Sequence, residues 1–194
     1  QACQQAYIWL QQGMPIRMAV NVSVSHVRQG NLVPLVKRVL ERTGLPAQLL
    51  ELELTESQML ENTQGTIAVF KELRALGVSL AIDDFGTGYS SLSYLKRFPA
   101  TSLKIDQSFI RDVMHNDEDA AITKAIIAMA HSLNLLVVAE GVETQAQMDF
   151  LKAHSCNEIQ GYLISKPISA QALTEFMLER QSVVEVLDGE TAKT

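Results

Sequence analysis

Residues 78–91 read VSLAIDDFGTGYSS. An apolar run of Val78, Leu80, Ala81 and Ile82 stops at two adjacent acids, Asp83 and Asp84. A glycine-rich turn follows, with Gly86 and Gly88 around Thr87, and then Tyr89, Ser90 and Ser91. The run has the length and composition of a buried strand, not of a helix. The glycines open positive φ values to a tight, close-approach turn. Two carboxylates side by side repel unless a cation sits with them, and hard ions such as Mg²⁺ or Mn²⁺ take oxygen ligands of this kind. A solvated acid pair beside an ordinary turn is the plainer alternative, and this stretch by itself leaves both open.

The same alternation of apolar strand and helix extends outward from it. Upstream, a helix is predicted from about Thr66 to Leu76 with Gly77 at its stop, and residues 49–55 (LLELELT) read as a strand with Glu51 and Glu53 on one face. Before these lie a helix over 1–12, a strand over 17–23 (RMAVNVS) interrupted by Asn21, and a helix with Leu32, Leu35, Val36, Val39 and Leu40 at amphipathic spacing. Downstream come a short helix from Leu92 to Arg97, a strand over Ser102–Asp106, and a helix over Asp117–Leu133 whose first turn carries acids that favour the helix dipole. Leu135–Glu140 is the next strand, Thr144 and Gln147 form a capping-box pattern opening a helix to His154, and Glu158–Gly161 is a short last strand. Ser169 caps a helix to about Arg180, so the domain is expected over 1–180 with a frayed polar tail over 181–194. Six strand–helix repeats imply parallel strands with helices outside. A doubly wound open sheet and a (β/α)₈ barrel both fit. The strands end on Asn21, Glu53, Asp83, Lys104 with Asp106, Glu140 and Gln160. A barrel gathers such ends at one mouth, so a TIM-like α/β barrel is favoured.

Composition narrows the function. A net charge of −6 over 194 residues argues against a broad electrostatic grip on a nucleic acid polymer. Cys3 and Cys156 lack metal-binding or disulfide spacing, and His26, His115, His131 and His154 form no ligand pattern. No signal peptide or membrane-length apolar run is visible, and a reducing cytoplasm is the expected setting. The first residue is not methionine and falls within an apparent helix, so a longer parent protein is expected.

Asn21, Glu53, Asp83, Asp84 and Glu140 together supply more hard oxygens than one divalent ion needs, and Lys104 adds a cation. Two ions about 4 Å apart control the attacking and leaving oxygens of a phosphoryl displacement, and lysine holds water or screens the developing charge. Plainer roles exist for each residue. Asn21 fits a helix cap, Glu53 fits a lysine pair, and Lys104 fits a partner of Asp106 or Asp83. Glu56 and Glu143 fit loop-amide acceptors, and Gln160 fits a buried hydrogen-bonding residue.

The strings AVNVS (19–23), ELELTES (51–57), AIDDFGTGYSSLSYL (81–95), LKID (103–106), VVAEGVET (137–144) and QGYLISKP (160–167) resemble the EAL domain family of bacterial cyclic di-GMP phosphodiesterases. The resemblance runs from about residue 1 to 180. It implies hydrolysis of one phosphodiester of cyclic di-GMP to linear pGpG. It also implies a two-metal site using Mg²⁺ or Mn²⁺ and inhibited by Ca²⁺. Asn21, Glu53 and Asp83 resemble ligands of the first metal, with Asp83 bridging to a second held by Asp84 and Glu140. Glu140 also resembles a general base, and Lys104 the lysine on the catalytic water. Glu56 resembles the anchor of the DDFGTGYSS loop, Asp106, Glu143 and Gln160 resemble site supports, and Gln160, Tyr162 and Pro167 resemble substrate contacts. The family's Glu-Ala-Leu strand and one other would precede residue 1, leaving six of eight strands and edges that need partners. The resemblance further implies a homodimer, fusion to sensory or GGDEF domains, and a cytoplasmic place, free or as part of a membrane-anchored protein. A receptor that binds cyclic di-GMP without cleaving it, and an interaction module that binds no nucleotide, are the competing readings.

Overall fold

The computed structural model describes residues 1–23, 26, 30–60, 64–88 and 92–179. Tyr89, Ser90, Ser91, Arg180 and the tail over 181–194 lie outside the described residues. A first helix, α1 (Ala2–Gln11), leads into β1 (Met18–Asn21). Then follow α2 (Leu32–Thr43), β2 (Leu50–Thr55), the short α3 (Glu56–Leu60), α4 (Gln64–Ala75) and β3 (Ser79–Phe85). The second half holds α5 (Leu92–Leu95), β4 (Ser102–Ile105), α6 (Gln107–Arg111), α7 (Asp117–Ser132), β5 (Leu136–Ala139), α8 (Gln145–Ala153) and β6 (Glu158–Ile159). A last helix, α9, covers 170–179. The predicted strand 17–23 is trimmed at both ends, and 102–106 and 158–161 are trimmed at their C-terminal ends. The one-turn helices α3 and α6 were not predicted, because five residues carry too little periodicity to register.

All six strands are parallel and their spatial order is β1-β2-β3-β4-β5-β6. An open doubly wound sheet reverses its order at a switch point; this one never does. Right-handed crossovers in unbroken order stack the helices on one side and curl the other side inward. The curl is measurable. Arg17, at the entrance to β1, forms an ion pair with Glu158 of β6. Five flat inter-strand spacings would separate those strands by about 24 Å, beyond the joint reach of the two side chains. The six strands are therefore an incomplete barrel, as expected, and β1 and β6 each have one partner strand among the described residues.

Register then decides what each strand shows to each side. Leu52 pairs with Val20 and Leu80, while Glu53 pairs with Asn21 and Ala81. Leu50, Leu52, Leu54, Leu80, Ile82, Leu103, Ile105 and Val137 join the core with helical Val36, Phe70, Leu73 and Ile127. The alternate residues Glu51, Glu53, Asp83, Ser102 and Lys104 are also buried, but on the concave side. There they form two polar layers. In the lower one Glu51 accepts from Ser102 Oγ at 3.1 Å and lies 3.6 Å from Arg17; burial raises its pKa. The upper layer is the candidate site.

Phe70 is fully buried and meets Phe98 with ring centroids 5.1 Å apart. Phe70→Ala is expected to lower the free energy of unfolding by about 3–5 kcal/mol, read from the urea midpoint at unchanged slope.

Candidate active site

The upper layer is built around one ammonium group. Lys104, on β4, lies 2.7 Å from Glu53 Oε1 on β2, 3.0 Å from Asp83 Oδ1 on β3 and 2.7 Å from Glu140 Oε1 just past β5. The lysine side chain is only 7% exposed. Glu140 continues the ladder, its N–H donating to Ile105 O at 3.1 Å. Burial alone would lower the Lys104 pKa, but hydrogen bonds to Glu140, Glu53 and Asp83 carry it well above the ordinary lysine value. These three carboxylates hold Lys104 as a cation and a hydrogen-bond donor. Neither Asp83 alone nor Asp106 is its partner. Asp106 instead caps α6, accepting from Ser108 N–H at 2.9 Å.

Asp84 reaches the same rim by a backbone irregularity. In a regular strand its side chain would face away from that of Asp83. The register between β3 and β4 shifts between Ile82 and Phe85, and Asp84 has φ of 54°, in the left-handed region. A bulge of this kind re-aims a side chain, and aspartate is among the few residues that accept that φ. As a result Asp83, Asp84 and Glu140 each offer a carboxylate oxygen within 4.8 Å of the others. Burial, and then the nearby Asp83 and Asp106, raise the Asp84 pKa against the pull of Lys104. Burial likewise raises that of Glu140, with Lys104 opposing. Four carboxylates face one ammonium, so the rim carries surplus negative charge on hard oxygens. That donor set fits a divalent cation, which Asp83, Asp84 and Glu140 could hold.

The turn after β3 is held from beneath. Glu56 is 1% exposed, and its Oε2 accepts from Gly86 N–H at 2.8 Å and Gly88 N–H at 3.4 Å. Gly86 has φ of +103°, and a Cβ there would lie 2.6 Å from Phe109. Asn21 stands opposite Glu53 in the register and is exposed on the rim. Glu143, Gln160 and Tyr162 line a cavity of about 250 Å³ beside Glu140, together with Gln107. Gln160 is exposed there, and its backbone joins Ala139 O at 2.8 Å and Val142 N–H at 3.1 Å. Tyr162 lies under Lys166, 5.6 Å from the ring centroid. Pro167 is exposed and is not among that cavity's lining residues. Gln107 carried no sequence signal; only the folding of α6 against residues 140–144 reveals it.

The model for the EAL domain matches residues 1–167. The chain belongs to the EAL domain family. The cyclic di-GMP phosphodiesterase NbdA of Pseudomonas aeruginosa is 51% identical to this EAL domain over 162 residues, which are 84% of this chain and 21% of that protein. In the solved structure titled "PaMucR Phosphodiesterase, c-di-GMP complex", 70% of the other chain aligns with 89% of this one at a TM-score of 0.85 and 46% identity. The Klebsiella pneumoniae BlrP1 manganese/cy-diGMP complex at pH 9.0 aligns at a TM-score of 0.76 and 32% identity, over 84% of this chain and 42% of that one. BlrP1 also appears as a calcium/cy-diGMP complex. The chain spans about a quarter of the length of the curated relatives it matches.

A divalent ion held by Asp83 and Glu140 would share those carboxylates with the Lys104 ammonium, and like charges this close repel strongly. Lys104→Met is therefore expected to tighten Mn²⁺ binding by about tenfold or more, measured by calorimetric titration; weaker binding would mean that the ammonium chiefly organises the carboxylates.

Proposed function

We propose that this EAL domain hydrolyses one phosphodiester bond of cyclic di-GMP to give linear pGpG. The convergence of Glu53, Asp83 and Glu140 on Lys104, with Asp84 on the same rim, carries the reading. The names of NbdA and MucR support the substrate. Asp83, Asp84 and Glu140, with Asn21 and Glu53 nearby, would hold Mg²⁺ or Mn²⁺, which supplies a water acidified to near neutral pH and a screen for phosphate charge. The chain's own residues do the rest. Lys104 donates a hydrogen bond toward the attacking water and offsets charge as the oxygen adds to phosphorus. Glu140, within 2.7 Å of that ammonium, takes the water's proton. The P–O3′ bond breaks, and the 3′ oxygen leaves as a hydroxyl with the proton that Glu140 took from water, returned to it through solvent. Glu56 fixes the Gly86–Gly88 turn from below, so Asp83 and Asp84 are aimed before substrate arrives. Gln160, Tyr162 and Glu143 receive a base or ribose in the cavity beside Glu140.

The same reading places the domain in the cytoplasm, joined to sensory or GGDEF domains and paired with a second copy.

Two measurements on the full-length protein test the reading. Excess chelator should abolish turnover and Mn²⁺ restore it, whereas Ca²⁺, with its looser coordination, should compete without supporting turnover. Lys104→Met should lower kcat by about 10²-fold or more, the scale for losing one electrostatic stabiliser, while cyclic di-GMP affinity changes far less. Tight binding with no metal-dependent turnover by the wild type would make the domain a receptor instead.

A further inference from the structure

Gln147 is the third residue of α8 and is 6% exposed. All four hydrogen-bonding positions of its amide are used. Its Oε1 accepts from Glu143 N–H at 2.8 Å and Thr144 N–H at 2.9 Å. Its Nε2 donates to Ile110 O at 3.0 Å and Arg111 O at 3.2 Å. The bond from Thr144 N–H belongs to the capping box at the start of α8, where Thr144 Oγ1 in turn accepts from Gln147 N–H, and the bond from Glu143 N–H extends it by one residue. The second pair leaves that helix and ends on the last turn of α6, where Ile110 O also accepts from Val113 N–H at 3.4 Å.

One buried amide therefore joins the loop that begins at Glu140 to the helix that starts three residues past Lys104. Two cavities, of about 250 and about 370 Å³, flank these segments, and Gln107, Gly141 and Glu143 line both. The segments already touch at one point. Gly141 has φ of +69°, and a Cβ there would lie 2.6 Å from Gln107 Cβ. The cleft cannot narrow, and the four bonds of Gln147 keep it from widening. We infer that Gln147 is a positioning residue that sets the width of the cleft between α6 and the 140–144 loop, and so the docking of substrate against Gln107 and Glu143. The inference rests on the phosphodiesterase reading. Lys104 and Glu140 are held independently, by the strand ladder and their ion pair, so the effect falls on KM and not on the chemical step.

A role confined to helix capping makes a different prediction. Glutamate and glutamine serve a capping box alike. Gln147→Glu keeps the half that caps and removes the half that crosses to α6. Gln147→Met removes both halves without burying a charge, and it carries the test should the first variant fold poorly. In the full-length protein, both variants are compared with wild type for kcat and KM toward cyclic di-GMP, Mn²⁺ affinity, melting temperature and amide hydrogen exchange over 107–113. The expected result is a KM about tenfold higher with kcat within about threefold, the scale for two lost hydrogen bonds that act on docking. Mn²⁺ affinity should be unchanged, and exchange over 107–113 should be about tenfold faster. A folded Gln147→Glu protein with wild-type KM would reduce the residue to a cap and overturn the inference, as would a fall in kcat with KM intact. Should wild type neither bind nor cleave cyclic di-GMP, the substrate reading fails separately and hydrogen exchange decides the coupling: unchanged exchange over 107–113 sinks it, faster exchange upholds it.

Discussion

The ammonium of Lys104 is the constraint on which the rest of the rim depends. Glu53, Asp83 and Glu140 come from three different strands or strand ends, and without a shared counter-charge they would repel one another in a poorly solvated space. Removing one partner from a buried charge set leaves the others uncompensated, at a cost of about 3–5 kcal/mol. The same contacts that shape the site thus tie β2, β3, β4 and the end of β5 together from the concave side. The order of the rim and the tie between these strands share one cause.

Directly beneath lies a second set with the same logic. Glu51, Ser102 and Glu158 each precede a rim residue on their own strand by two positions, the period that keeps side chains on one face. Arg17 spans from the entrance of β1 to Glu51 and Glu158 and so links the first and last strands. Barrel interiors of this class are ordinarily filled by branched apolar side chains. Here the lower layer is polar and the dry packing lies between strands and helices, where Phe70, Leu73, Leu80 and Ile82 are fully buried. The interior thereby carries charge up to the floor of the site.

Much of this could be read in advance, because it depends on period and punctuation. Strand alternation put Glu53 on the inner face, the polar strand ends marked the mouth, and Gly86 and Gly88 marked the turn that Glu56 holds. The rim charges follow from composition at fixed positions. What escaped the sequence depended on distance between segments. Nothing in LKID says that Lys104 reaches three carboxylates and leaves Asp106 to cap α6. Gln147 was visible as a capping residue, but its two bonds to α6 link positions more than thirty residues apart. Gln107 looks like any surface glutamine until Gly141 is packed against it. Asp84 was expected in the site beside Asp83, but not by this route: strict alternation would send it to the helix side, and the register shift beside it brings it to the rim.

That backbone detail also bears on how such a domain can change over generations. Asparagine tolerates the left-handed region as aspartate does and offers an oxygen at the same place. Their codons differ by a single nucleotide. Residue 84 can therefore shed its charge with no conformational penalty, weakening the cation site while the turn, the cavity walls and the buried floor stay as they are. Lys104 offers no such route, because its loss strands three buried carboxylates at once. Loss of charge from this rim is conformationally free at one residue and costly at another.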